Sequence, residues 1–493
     1  MKKIFFSTFF LLFTLLIISC DISSLGLKSL SKEDFNEFNS PNFILILVDD
    51  QGWNGTSVQM SQQHKNSKSD FHQTPNLEKL AKNGMRFSQA YATSPVCAPS
   101  RYSLQFGKTA ARLNMIRVQM NTDHINHNTS ITIPKILKKI NPNYTAAHFG
   151  KWGMGIVRPK QGFNFGVHPS VLGYDFSDGQ TTNFDGGFKQ NEWTYSTSDD
   201  PKKIFSLTEK SISFIEKQVQ AKKPFYLQLS HYAVHTNITS RNKTLEKYKN
   251  LKKGELHKNP NFAALTEDLD TSFGIILKKV KELGIENNTY IIYTSDNGSV
   301  PTFPPRKNYS KSYNYPLSRG KWDCMEGGIR IPFIISGPNI KKNSFSDVPI
   351  NLSDFLPTIA DLSGNITNFH TDLDGGSFKN ILFKKGKGIV KRSHPGFYFH
   401  LPFKNGIALN RPHSAIRIKN YKLLKFHDNQ ELRLYNIQKD ISEQNNIASF
   451  FPERTKKMEG ELEKYFKEVQ TVKWKKGVNW MYRPISKIDS YYK

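Results

Sequence analysis

Four short polar clusters hold residues that could do chemistry, and each follows an apolar run. Asp49-Asp50 follows residues 43–48, Gly150-Lys151-Trp152 follows 144–149, and Ser295-Asp296-Asn297-Gly298 follows 290–294. Ser230-His231, with His235 close behind, follows 225–229. In open α/β sheets, ligands bind beyond the carboxyl ends of the strands. If these runs are neighbouring strands, one pocket collects three carboxylates, an amide, a lysine and histidines. Crowded carboxylates raise one another's pKa unless a cation lies among them. Oxygen ligands of mixed acid and amide type suit calcium first and magnesium second. Each motif alone also reads as a turn signal. Two of them directly behind strongly apolar runs favour a metal.

A fifth cluster is Ser94-Pro95-Val96-Cys97-Ala98-Pro99-Ser100-Arg101. Pro99 suits the first turn of a helix, which sets Cys97 at or just before a helix N-terminus. Such ends attract anions, and Arg101 adds a charge that never deprotonates. From residue type and position alone, Cys97 is either a thiolate nucleophile or a buried cysteine.

The elements that must position these residues follow from periodicity. Apolar strand-like runs alternate with helical periods, which predicts an α/β fold: a large mostly parallel sheet flanked by helices, with a smaller C-terminal antiparallel β-sheet plus helix subdomain. The uninterrupted run 43–48 reads as a buried central strand. Thr74-Pro75 opens a helix that Gly84 closes, and 203–220 reads as another helix. Leu265, Leu269, Phe273, Ile276, Leu277, Val280 and Leu283 mark one long amphipathic helix stopped by Gly284. Residues 331–335 read as a strand and 354–362 as a helix. Beyond 385, residues 415–418 and 421–424 form a predicted hairpin around Lys419-Asn420, followed by a strand at 432–435 and a charged helix at 453–469.

At 493 residues the chain suits one large domain plus a smaller one. The expected boundaries are a lipoprotein signal peptide at 1–20, a tether at 21–39, a catalytic α/β domain at 40–385 and a C-terminal subdomain at 386–493. Lys2 and Lys3 precede an apolar stretch at 4–18 that is short for a bilayer span. It ends in Ile17-Ile18-Ser19-Cys20, which resembles a bacterial lipobox and predicts lipidation at Cys20. The alternative is an ordinary signal peptide with a chance cysteine. Either way the protein is expected to be exported, and the lipobox adds anchoring to a bacterial membrane, facing the periplasm or at the cell surface. With Cys20 acylated, Cys97 and Cys324 are the only possible disulfide pair, so the fold relies on its core. The formal charge is +27, from 69 Lys and Arg against 42 Asp and Glu. That excess suits either an anionic partner or simply a lysine-rich solvated surface. Export argues against nucleic acid as the partner.

Cys97-Ala98-Pro99-Ser100-Arg101 matches the C-x-P-x-R signature, and the chain resembles the formylglycine-dependent (type I) sulfatases of the alkaline phosphatase superfamily. The likeness extends to residues 41–50, to Thr74-Pro75-Asn76-Leu77-Glu78-Lys79-Leu80-Ala81, to Gly84-Met85-Arg86-Phe87 and to Gly150-Lys151-Trp152. It continues in Asp296-Asn297-Gly298, in 320–332, and from Leu434-Tyr435-Asn436 through Asn445-Asn446.

The resemblance implies that a maturation enzyme oxidises Cys97 to formylglycine, whose hydrate attacks sulfur. It implies one calcium ion held by Asp49, Asp50, Asp296, Asn297 and the modified Cys97, with Arg101 holding the formylglycine. Lys151, His235 and Lys321 would bind the sulfate oxygens, and His235 or Lys321 would protonate the leaving alcohol. The implied substrate is a sulfated carbohydrate, a polysaccharide or its oligosaccharides. A phosphate or phosphonate ester hydrolase and an inactive glycan-binding lipoprotein are the alternatives. Two positions depart from the family pattern. Gly153 stands where a histidine is usual, leaving His148 and His231 as substitutes, and Val234 stands where proline is usual. Trp152, Tyr232 and Trp322 could stack on sugars or simply pack, and loops 156–200 and 299–319 are expected to shape the pocket.

Overall fold

The computed structural model describes residues 40–476, apart from 119, 121, 123, 159–162, 190–191, 307, 365–371, 405–408 and 410. The signal peptide, Cys20 and the tether lie outside the described residues. All seven residues of β1, Asn42–Val48, are buried. Phe43, Leu45 and Leu47 enter one core, while Ile44, Ile46 and Val48 enter the other. A strand covered on both faces needs apolar side chains at both phases of its two-residue period, hence the uninterrupted run.

The other strands of the large sheet and five of the helices packed on it follow in chain order. They are α1 (Pro75–Asn83), β2 (Met85–Phe87), α2 (Cys97–Phe106), β3 (Thr145–Gly150), β4 (Phe176–Ser177) and α3 (Ile204–Gln220). Next come β5 (Phe225–Ser230), α4 (Pro260–Glu282), β6 (Thr289–Ser295), β7 (Phe333–Ser336), β8 (Ser344–Ser346) and α5 (Phe355–Leu362). The strands form one sheet in the order β8-β2-β7-β6-β1-β5-β3-β4. From β6 to β4 all neighbours are parallel. β7 runs antiparallel to both β6 and β2. Apolar residues of α1, α3 and α4 fill the core on one face, and those of α2 and α5 fill the other. Each fully buried Leu, Ile or Phe contributes about 1.5–3 kcal/mol, so these two layers hold the sheet between them.

Two expectations are refined. Residues 331–335 do not form one strand. Arg330–Ile331 pairs with Ala90–Tyr91 in a separate small sheet, Pro332 interrupts, and β7 begins at Phe333. Proline has no N–H to give to a ladder. Gly84 does follow α1, but in extended conformation rather than as a left-handed cap. A Cβ there would lie 2.2 Å from Ile335 O, so glycine is required by the close approach of β7.

The C-terminal sheet is antiparallel, with β9 (Phe397–Leu401), β10 (His413–Ile418), β11 (Tyr421–Phe426) and β12 (Leu432–Asn436) in sequential order. The β10–β11 hairpin turns at Lys419-Asn420 as expected. Strand β9 had no counterpart in the sequence reading. Helix α6 (Pro452–Glu468) lays Met458, Leu462, Tyr465 and Phe466 against Ile416, Leu423 and Leu434. Lys422 in β11 is fully buried between Glu326 and Glu443, with Nζ 3.1 and 2.7 Å from their carboxylates. Among the described residues, no helix is long and apolar enough to cross a membrane.

Candidate active site

The strand register brings the polar clusters to one level. Val48 pairs with Ser295, Leu47 with Ser230, and Ser230 with Gly150. The next residues therefore leave the sheet together. Asp296 N donates to Val48 O at 3.1 Å, His231 N to Leu47 O at 2.9 Å, and Lys151 N to Ser230 O at 2.7 Å. Asp49 N donates to Ala233 O and Val234 N to Asp49 O, at 2.9 and 2.8 Å, which folds the 233–235 segment over the end of β1.

Helix α2 brings Cys97 to this cluster. It begins at Cys97, after an extended Val96 that caps with no side chain. Ser100 Oγ closes the preceding loop, accepting from Ser94 N at 3.1 Å and donating to Ser94 O at 2.8 Å. Arg101 stands one turn after Cys97 and so shares its face. Ligand atoms of Asp49, Cys97 and Asp296 lie within 4.8 Å of one another, and all three residues are buried.

Each carboxylate has its own cation. Lys151 Nζ is 2.6 Å from Asp49 Oδ2, Lys321 Nζ is 2.8 Å from Asp50 Oδ2, and Arg101 Nε and Nη2 are each 2.8 Å from Asp296 Oδ2. Arg101 Nη1 also donates to Lys151 O at 2.6 Å. Asn297 Nδ2 donates to Asp50 Oδ1 at 2.7 Å. Burial alone would raise the Asp49 carboxyl, but Lys151, His235, Arg101 and Lys321 hold it well below the usual range. Asp296 is pushed up to about 6 by burial and by Asp49, against Arg101 and Lys151. Burial would lower Lys321, but Asp50, Cys97 and Asp49 hold it above its ordinary value.

Two oxygens in this cluster are buried with no hydrogen-bond partner: Asp49 Oδ1 and Asn297 Oδ1. An orphaned buried acceptor is costly, and a hard cation satisfies such oxygens. Acid and amide oxygens beside the Cys97 position thus fit a hard cation.

A cavity of about 330 Å³ opens over this cluster. Its inner end is lined by Asp50, Cys97, Lys151, His235 and Lys321, with Asn183 beside them. Phe188, Trp193, Phe303 and Trp322, all at least partly exposed, form much of the outer wall, and the buried Met154 lines the cavity as well. His235 Nδ1 faces Thr236 O at 2.7 Å, and Nε2 is 3.7 Å from Asp50 Oδ2. Burial, then Lys321, push His235 down to about 4.

Several expected residues sit elsewhere. His148 is fully buried beside Trp152 and Tyr174, with Nε2 3.1 Å from Ser230 Oγ. His231 is fully buried, and neither ring nitrogen has a hydrogen-bond partner among the described residues. Neither histidine is among the described residues lining the cavity, so neither replaces the family histidine. Gly153 has φ +69, and a Cβ there would press on Arg101 Cδ at 3.0 Å. Trp152 and Tyr232 are core residues, Trp152 Nε1 donating to Val167 O at 2.7 Å. Trp322 does line the cavity. The sequence reading missed Asn183, Phe188, Trp193 and Phe303, which belong to the two loops expected to shape the pocket but follow no periodic pattern.

Fold and site together define a hydrolase for esters of a tetrahedral anion: an α/β sheet whose strand ends collect three carboxylates, their cations and a cysteine at a helix start. The chain matches the family model described as Sulfatase over residues 41–365, and that described as N-sulphoglucosamine sulphohydrolase, C-terminal, over residues 321–472. The chain belongs to the sulfatase family and is a sulfuric ester hydrolase. It is 26% identical over 508 residues to a protein named Sulfatase from Formosa agariphila, covering 87% of this chain and 88% of the relative. Ulvan-active sulfatase from the same organism is 26% identical over 458 residues, covering 88% and 82%. The crystal structure of Ps i-CgsB shares the fold, with a TM-score of 0.70 at 24% identity over 92% of this chain and 100% of that one.

Proposed function

We propose that this sulfatase removes sulfate from a sulfated carbohydrate, using a formylglycine made from Cys97 and a calcium ion at Asp49, Asp50, Asp296 and Asn297. The observation that carries this reading is the convergence of Cys97, Asp49 and Asp296 within 4.8 Å at the head of α2. Calcium bound there would draw electron density from the sulfate ester and favour the ionised hydrate. Lys151, Lys321 and His235 hold the sulfate oxygens, where negative charge grows as the S–O bond breaks. Lys321, held protonated by Asp50, or His235, once the negative charge of the bound sulfate ester raises it from about 4, gives its proton to the departing alcohol oxygen. Arg101 anchors position 97 through the helix face they share and fixes Asp296 beside it.

The carbohydrate part rests on two supports. One relative is named ulvan-active, and Ps i-CgsB has also been solved in complex with k-i-k-neocarrahexaose. In this chain, the outer wall offers Phe188, Trp193, Phe303 and Trp322, whose flat rings suit the apolar faces of sugars. We further propose a maturation enzyme as partner, export with lipid anchoring at Cys20, and a C-terminal subdomain beginning near residue 386.

The test is mass spectrometry of the tryptic peptide containing Cys97, after co-expression with a maturation enzyme. Parallel assays use sulfated oligosaccharides, an aryl sulfate and the matching phosphate ester. Formylglycine together with sulfate release supports the reading. Faster phosphate release makes the chain a phosphoesterase of the same superfamily. Unmodified cysteine with no turnover leaves a glycan-binding protein.

A further inference from the structure

We infer that Asn183 is a positioning residue that orients Asp49 toward the metal and aligns Lys151 with His235. The inference rests on the calcium reading above and deepens it. The Asn183 amide bridges three residues of the site: Nδ2 lies 2.7 Å from Asp49 Oδ2, and Oδ1 lies 3.0 Å from Lys151 Nζ and 3.1 Å from His235 Nε2. Its orientation is forced by chemistry, because a lysine ammonium only donates and an ionised carboxylate only accepts.

The consequence falls on Asp49. Its Oδ2 receives both Lys151 and Asn183, at 2.6 and 2.7 Å, while Oδ1 has no hydrogen-bond partner. Two donors on one oxygen pin the carboxylate plane and leave the other oxygen free for the cation. Partners of this outer kind set ligand orientation, and losing one weakens metal binding by about 10–100-fold. The amide oxygen also accepts from Lys151 Nζ and stands 3.1 Å from His235 Nε2, which sets the spacing of two groups that must reach one sulfate.

The backbone around Asn183 is built to hold it. Asp185 Oδ2 accepts from Thr182 N at 2.7 Å, closing a capping box at the start of the short helix Asn183–Gly186. Gly153 N donates to Thr181 O at 3.0 Å and Trp152 N to Thr181 Oγ1 at 2.9 Å. This turn is thereby tied by two hydrogen bonds to the segment that carries Lys151.

The experiment uses the full matured chain, stripped of metal and titrated with calcium by calorimetry, for wild type, Asn183→Leu and Asn183→Ala. Leu keeps the side-chain size and removes the amide. Ala is the second variant should Leu disturb the turn. We expect metal-free Tm to stay within 2 °C, the calcium Kd to rise about 10–100-fold, and kcat to fall more than KM changes. A Kd within twofold of wild type in folded variants overturns this inference and leaves the calcium reading standing. No calcium uptake by wild type overturns both.

Discussion

Arg101 grips one oxygen of Asp296, Oδ2, from both Nε and Nη2 at 2.8 Å, and both side chains are buried. The same guanidinium reaches Lys151 O, so a single residue couples α2, the end of β6 and the segment after β3. Removing one partner of a buried ion pair leaves an uncompensated charge and costs about 3–5 kcal/mol. Arg101→Met is therefore expected to lower stability by that order and to reduce kcat/KM by at least 100-fold. Denaturant melts alongside sulfate-release kinetics check both parts. A stable, active Arg101→Met protein would remove Arg101 from the site.

Cys97→Ala should abolish turnover with folding intact, because the helix start has no side-chain cap and the loop before it is closed by Ser100 rather than by the thiol. Circular dichroism and a sulfate-release assay decide it. Turnover at the wild-type rate in this variant would end the formylglycine mechanism.

Asp296→Ala should cost activity through metal loss. A carboxylate oxygen of Asp296 lies within 4.8 Å of ligand atoms of Asp49 and Cys97, so the substitution takes one hard oxygen ligand from that cluster. Metal analysis of the purified variant should show less than one calcium per chain. An unchanged calcium content would show that the ligands lie elsewhere.

Restoring the family histidine should not help this enzyme. Gly153 adopts φ +69, and a Cβ would meet Arg101 Cδ at 3.0 Å. A side chain in that conformation costs about 1–2 kcal/mol before any clash. Gly153→His is expected to lower Tm and to leave kcat at or below wild type. A rise in kcat would mean the backbone can move and that proton removal limits turnover.

The C-terminal sheet should make stability acid-sensitive. His400 Nδ1 and His427 Nε2 share Ser414 Oγ, each at 2.7 Å, while His400 Nε2 donates to Val472 O at 2.6 Å. Burial pushes His400 down to about 3, and His413 and His427 down to about 4. The unfolded chain takes up these protons near pH 6.5, while the fold refuses them until about pH 4. Stability is thus present above pH 6.5 and declines as pH falls toward 4. Tm measured from pH 7 to 4.5 should drop, and His400→Asn should flatten the slope. Equal slopes in both proteins would show that His400 is not held neutral.

Much of this protein was legible in the residues themselves. An uninterrupted apolar run at 43–48 means a strand covered on both faces, and polar pairs at the ends of such runs mean a pocket beyond the sheet edge. These are local statements, because side-chain periodicity is set by the strand's own geometry. So Asp49, Asp50, Lys151, His235, Asp296 and Asn297 could be gathered into one pocket before any strand order was known, while the resemblance to the sulfatases added Cys97, Arg101 and Lys321 to it. Only the tertiary structure decided which residues touch. Strand order and register matched Val48 to Ser295 and Leu47 to Ser230, bringing residues 247 and 183 positions apart into contact. Packing buried His148, His231, Trp152 and Tyr232 away from the cavity, although each lies within a few residues of a site lysine or histidine. The need for glycine at 84 came from β7 passing 2.2 Å from its missing Cβ. Asn183 stayed hidden because it lies in a single helical turn too short to show an apolar period, and its partners are set by a through-space network that no spacing rule records.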